Sequence, residues 1–308
     1  MGRNRNMFQQ LNNALTQNFQ ERIDKHSDKK ENGTEMSEKI YSYSSLNNLR
    51  DFSRNFSNYM KENFPDIKRL DQVRSNHIQD FLNTKNSEGC SQNTLDTYKN
   101  NFNKLQEVVN ETYKSVNWDF KQDVVTPTSQ KQFDPNRGAG NAISKEDYQQ
   151  ILNYCMENRS GSGDAILAQD ALGVRVNELS ELKVKDLDFA NNKINFTNTK
   201  GGKPMQRDMN NKLKELLQER CEGKSLGDKV FGVSDAAINK QLSRIEDKLG
   251  MKRHSNHDIR RMIAQQKYDD LRNAGCSKQK ALDEVSKWLN HGRNRNTMIA
   301  KSYIKNIW

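Results

Sequence analysis

The sequence predicts a mainly α-helical protein of two domains, with one small β-hairpin in its C-terminal half. Apolar residues recur three or four apart through most of the chain, the helical period. That period lapses over residues 117–141, where Pro127, Pro135, Gly138 and Gly140 gather. One strand–turn–strand pattern lies at 193–209.

Residues 1 to about 25 read as a helix, with Phe8, Leu11, Leu15 and Phe19 on one face. The polar run from Asp24 to Gly33 follows as a linker, closing an N-terminal extension over 1–37. From 38 to 116 the pattern is helical. Leu46, Leu49, Phe52, Phe56 and Tyr59 make one stripe, Val73 to Leu82 a second, and Leu95 to Val109 a third. Pro65 and the Ser87-Glu88-Gly89-Cys90 turn divide them. Residues 117–141 are an interdomain linker, and a second domain runs from 142 to 308. Ser144 before Glu146 and Asp147 starts its first helix. Lys193-Ile194-Asn195-Phe196-Thr197 alternates as a strand, Lys200-Gly201-Gly202-Lys203 turns, and Met205 to Met209 returns. Helices resume from Asn210. The pentapeptide Gly-Arg-Asn-Arg-Asn stands at 2–6 and again at 292–296, but two copies make no repeat architecture.

Composition narrows the function classes. Hydrophobic residues make up 33% and charged residues 29%, a lean core under a polar surface. A net charge of +10 favours a polyanionic partner, since each Lys or Arg meeting a phosphate releases counterions. No apolar run approaches a membrane span, and the N-terminus lacks the apolar core of a signal peptide. Asn6 also breaks the myristoylation pattern, so a cytoplasmic protein is expected. Cys90, Cys155, Cys221 and Cys276 are scattered without metal-site or disulfide spacing and read as incidental small residues. No metal and no cofactor are expected.

The chemistry concentrates near the C-terminus: His257-Asp258-Ile259-Arg260, then Leu289-Asn290-His291-Gly292, then Tyr303. Arg175 lies upstream, in Leu172-Gly173-Val174-Arg175 followed by Glu178-Leu179. Together these residues suit attack on a phosphodiester. Two guanidinium forks neutralise the non-bridging oxygens, imidazoles manage protons and hydrogen bonds, and a phenol is the nucleophile. A phenol's ordinary pKa is near 10, so it must lose its proton as it attacks. Blander readings exist for each residue: Arg175 as a surface partner of Glu178, His257 as a satisfied buried imidazole, Tyr303 as amphipathic packing. Glu178 itself reads as structural, orienting Arg175 or a neighbouring turn. His254 falls out of register and reads as surface, and Tyr268 as packing.

In these motifs the chain resembles the tyrosine recombinase (phage integrase) family. Leu172 to Leu179 is similar to its first-arginine box, His257 to Arg261 to its His-x-x-Arg box, and Leu289 to Gly292 to its Leu-Gly-His segment with Asn290 in place of Gly. Tyr303 falls where the nucleophile belongs. Ser91-Gln92-Asn93-Thr94, Tyr98 and Leu105 are similar, more loosely, to the family's core-binding module. The resemblance implies a helical SAM-like core-binding domain followed by a tyrosine-recombinase catalytic domain. It implies Arg175, Lys200, His257, Arg260, His291 and Tyr303 as catalytic residues. Lys200 would protonate the leaving 5′ oxygen, with Lys203 second. His257 would accept or orient the tyrosyl proton, and His291 would donate to the phosphate. Lys203, Arg261, Arg293 and Arg295 are expected to contact DNA, with a salt bridge the alternative for Arg261 and a solvated loop the alternative for Arg293 and Arg295.

The implied activity is site-specific DNA recombination through a 3′-phosphotyrosine, without ATP or metal, for a mobile element in a bacterium and associated with its nucleoid. Implied partners are a double-stranded recombination site, a homo-tetramer on paired duplexes, and accessory DNA-bending proteins. Each duplex would be clamped between the two domains about the 117–141 hinge. A type IB-like topoisomerase and a catalytically silent DNA-binding relative are the alternatives. Two features depart from the family pattern. His291 and Tyr303 stand further apart than in its commonest spacing, and few residues follow Tyr303. Subunit coupling is therefore expected from a short tail anchored by Ile307 and Trp308, or from the 1–25 helix packing on a partner.

Overall fold

The computed structural model describes residues 6–21, 28, 33, 37–131, 138–197, 199, 204–292 and 294–308. The chain divides into two compact units, Met1–Phe133 and Asp134–Trp308.

The first unit is helical. Its helices are α1 (Met7–Gln17), α2 (Tyr43–Asn63), α3 (Ser75–Ser87) and α4 (Gln92–Thr112). Polar side chains just ahead of α1, α2 and α4 cap them: Asn6, Ser42 and Ser91 each accept from a backbone N–H in the first turn. Phe52, Phe56, Phe81 and Phe102 pack edge to face at the centre, with ring centroids between 4.8 and 6.0 Å apart.

Two sequence expectations change here. Helix α1 is not left for a partner, because Met7, Leu11, Ala14 and Leu15 are buried in this same core. Arg50 Nε donates to Asn12 Oδ1 at 2.8 Å, and Tyr113 Oη donates to the Gln10 carbonyl at 3.0 Å, fastening α1 in place. The start of the expected linker is also packed. Trp118, Phe120 and Val124 are buried, and Trp118 Nε1 donates to the Leu70 carbonyl at 2.8 Å. Irregular backbone can bury aromatic residues without any period, so periodicity does not register it.

The second unit begins as expected with α5 (Lys145–Glu157), capped by Ser144. Then come α6 (Gly161–Leu172), α7 (Val176–Ser180), β1 (Leu187–Asp188), β2 (Lys193–Phe196) and β3 (Met205–Asp208). The sheet is antiparallel in the order β1-β2-β3, with Ile194 opposite Arg207 and Phe196 opposite Met205. The hairpin matches the sequence reading, and the two-residue β1 is too short to leave a pattern. Helices α8 (Asn211–Cys221), α9 (Asp235–Lys248), α10 (Asn256–Asn273), α11 (Lys278–Trp288) and α12 (Asn296–Ser302) complete the unit.

Ile151, Ile166, Leu172, Leu242 and Ile259 lie in one apolar core; Tyr268, Val285, Leu289, Ile299 and Tyr303 lie in a second. Tyr268 packs as expected. The tail after Tyr303 lies along α10 of its own chain. Gln265 and Asn306 exchange hydrogen bonds, and Trp308 Nε1 donates to Asp269 Oδ1 at 3.1 Å. His254 is not the surface residue expected. Its backbone N–H donates to Glu246 Oε1 at 2.9 Å, its ring Nδ1 lies 3.1 Å from the same oxygen, and Glu246 is fully buried. All four cysteines are free. Among the described residues no helix is long and apolar enough to cross a membrane.

Candidate active site

The arginine box sits where α6 ends. Gly173 takes a left-handed φ of +59°, a conformation open to glycine, and turns the chain towards Arg175. Arg175 is the N-cap of the short α7, and its backbone N–H donates to Glu178 Oε2 at 2.8 Å. Its Nη1 donates to Glu178 Oε1 at 2.9 Å. Glu178 is buried, and Arg260 Nη1 lies 3.7 Å from its second oxygen. One carboxylate therefore sets two guanidiniums beside each other; its contact with Arg175 is the one the sequence reading expected, that with Arg260 is not.

Arg260 lies one turn into α10, on the face that carries Ile259 and Ile263 into the core. The residue is only 1% exposed. Nη2 donates to the Leu289 carbonyl at 2.6 Å, while among the described residues Nε and Nη1 have no hydrogen-bond partner. Burial, together with the charge of Arg175, lowers its pKa to about 10, so it stays a cation at neutral pH. Glu178 offsets its charge, but buried donors without hydrogen bonds carry a desolvation cost that an anion reaching them would relieve.

The second histidine is placed by the end of α11. Asn290 N–H donates to the Lys287 carbonyl at 2.9 Å and His291 N–H to the Ser286 carbonyl at 3.0 Å, the paired bonds of a Schellman turn. Asn290 takes a φ of +57°, which explains how Asn can stand where the resembling family has Gly. Among non-glycine residues Asn tolerates that region best. His291 Nε2 then lies 2.9 Å from Tyr303 Oη. Tyr303 closes α12, is 3% exposed, and has its ring between two imidazoles, His257 and His291, each with a centroid 5.2 Å away. The sequence reading paired His257 with the tyrosyl proton; in the structure the hydrogen-bonded imidazole is His291. Partial withdrawal from water, reinforced by Arg261, Arg260 and Arg175, lowers the pKa of His257 to about 4. An exposed edge tempers that depression, and the ring is neutral at pH 7.

The structure thus brings Arg175, His257, Arg260, His291 and Tyr303 together. Lys200, Lys203 and Arg293 lie outside the described residues. Thr199, the residue before Lys200 in sequence, is buried, and Asn290 Nδ2 reaches its Oγ1 at 3.5 Å, so Thr199 lies beside the His291 turn. Arg261 adopts the salt-bridge alternative. Its Nη1 pairs with Asp258, and its Nε donates to the Ser302 carbonyl at 2.9 Å, holding the residue before Tyr303. Its expected role as a phosphate contact has no support here. Arg295 is exposed at the start of α12.

Sequence reasoning missed Gln169. Buried in α6, its Nε2 donates to the Val174 carbonyl at 3.1 Å and the Asn256 carbonyl at 3.3 Å, tying the arginine box to the His-x-x-Arg box. A polar residue set among Ala165, Ile166, Ala168 and Leu172 was the available signal.

The phage integrase family model matches residues 141–303. Tyrosine recombinase XerA of Saccharolobus solfataricus is 31% identical over 112 residues, which cover 36% of this chain and 37% of that protein. The match therefore spans well under half the length of that curated relative. Among solved structures, a lambda integrase tetramer bound to a Holliday junction superposes with a TM-score of 0.60 at 15% identity, covering 92% of this chain and 77% of the other. The Tn1549 transposon integrase in complex with transposon right end DNA gives 0.57 at 14% identity, covering 98% and 96%. At such identities the likeness concerns the fold.

Proposed function

The chain belongs to the phage integrase family, and on that premise we propose that it is a site-specific DNA recombinase acting through a 3′-phosphotyrosine. One observation carries the reading: a phenol bonded to an imidazole stands in the same pocket as a buried guanidinium with unused donors. Arg260 and Arg175 take the non-bridging oxygens of the scissile phosphate and bear the charge that grows there. Tyr303 Oη attacks phosphorus, forming the tyrosyl ester as the bond to the 5′ oxygen breaks. The phenolic proton passes to an imidazole, His291 by its contact or His257 by its neutrality. Lys200, next to Thr199 at the His291 turn, protonates the departing oxygen, with Lys203 second. The ester retains the energy of the broken bond, so a second 5′ hydroxyl reverses the step.

Tyr303 and Arg260 are both buried in the free chain, so engaging a phosphate requires the packing around them to open. A homo-tetramer on two duplexes is supported by analogy with the lambda integrase assembly. Action on DNA is consistent with a cytoplasmic, nucleoid-associated protein, and the fold likeness to a transposon integrase favours a mobile element.

The test begins by mapping the nucleotide joined to the protein on genomic DNA, then building a nicked duplex around it. A denaturant-resistant adduct should form with the wild-type chain and vanish in Tyr303→Phe. An adduct that survives that substitution refutes the assignment of the nucleophile.

A further inference from the structure

By sequence Arg207 is only a residue of the return strand β3, yet its guanidinium reaches two helix ends at once. Nε donates to the carbonyl of Leu172, the last residue of α6, at 3.3 Å; Nη2 donates to that of Trp288, the last of α11. Nη1 turns back to the Gln206 carbonyl at 3.1 Å. Helix C-termini leave carbonyls unpaired and carry partial negative charge, so one cation serving both draws the two ends together. The Trp288 indole closes the same seam. The Arg207 guanidinium carbon lies 5.4 Å from its ring centroid. The indole also covers Gly173 so closely that a Cβ there would stand 1.9 Å from Cη2. Arg175 follows Gly173 by two residues and His291 follows Trp288 by three, while the Leu289 carbonyl between them anchors Arg260.

We propose that Arg207 is a positioning residue, holding the helix end that presents Arg175 at a set distance from the helix end that presents His291. The inference rests on the recombinase reading above, and Arg207 in this role touches no substrate. Its donors satisfy backbone carbonyls, and its stem and charge lie over an indole. What it controls is the gap between two groups that must meet one phosphate.

The full chain is compared with Arg207→Met, which keeps a stem over Trp288 and deletes the donors. Arg207→Lys offers a point charge without the fork needed to hold two carbonyls together. The readouts are single-turnover cleavage of the nicked duplex, binding to it across salt concentrations, and hydrogen exchange at the Asn290 and His291 amides. Cleavage by the Met variant should slow roughly 10- to 100-fold, the scale of an ångström of misplacement, with Lys between Met and wild type. Affinity and its salt dependence should hold, and both amides should exchange faster. Wild-type cleavage in the Met variant overturns the proposal. So does a salt dependence weakened by about one phosphate contact, which would make Arg207 a DNA ligand. If the Met variant does not fold, the Lys variant decides on the same two criteria. Should the wild-type chain form no adduct, the recombinase reading fails by itself. Amide exchange still tests the seam then, and unchanged exchange overturns it.

Discussion

Replacing Glu178 by Gln preserves shape and removes the one negative charge that two guanidiniums share. The carboxylate is 3% exposed and meets Arg175 at 2.8 and 2.9 Å, with Arg260 Nη1 at 3.7 Å. Unit charges at that last separation attract by about 4–5 kcal/mol at an effective dielectric of 20. Breaking a buried pair from one side costs about 3–5 kcal/mol, a range that agrees. The amide oxygen of Gln can still accept from Arg175, which favours the lower end, about 3 kcal/mol. In a unit the size of Asp134–Trp308, each kcal/mol moves the midpoint by about 2–4 °C, so a drop of about 6–12 °C is expected. Scanning calorimetry of the full chain measures it. Inorganic phosphate supplies a second signature. An anion that replaces the lost carboxylate should raise the midpoint of the variant more than that of the wild type, by linkage. A midpoint within ~2 °C of wild type with the same phosphate response would refute the claim that this carboxylate holds the two arginines together.

Two further outcomes follow from the chemistry and the charges. Lys200→Ala should abolish cleavage of an ordinary duplex but not of one whose leaving 5′ oxygen is replaced by sulfur, because a thiolate departs without a proton. Lys203→Ala should cleave both, and the reverse pattern would move the acid to Lys203. For His257 the folded pKa of about 4 lies below the ordinary 6.5, so between those values the unfolded chain binds more protons. The stability it contributes is therefore intact above about pH 6.5 and is lost as pH falls towards 4, by an amount its exposed edge keeps small. His257→Gln should flatten that limb of midpoint against pH; parallel curves would contradict the assignment.

The site's members were legible because the reaction demands residue types that few other roles require in that order. Arg175, His257, Arg260, His291 and Tyr303 were named from their motifs, and the structure gathers them. What the motifs left open was pairing. The phenol meets His291 because a Schellman turn and the last helix converge, and neither event is written in the spacing of the histidines. Arg261 illustrates the same limit: a second arginine after the His-x-x-Arg box reads equally as a phosphate contact or a salt bridge, and only the fold shows it paired with Asp258 and the Ser302 carbonyl.

Helix periods, cap residues and the hairpin pattern are local, so the sequence by itself determined the fold class and the strand pair. Burial without periodicity is not local. Only the tertiary structure decided that α1 and Trp118 belong to the first unit's core, and that the tail after Tyr303 lies on its own α10. The same holds for Arg207 and Gln169, whose donors join carbonyls far apart in the chain. A hydrogen bond between distant segments depends on how those segments pack, and no pattern within either segment names its partner.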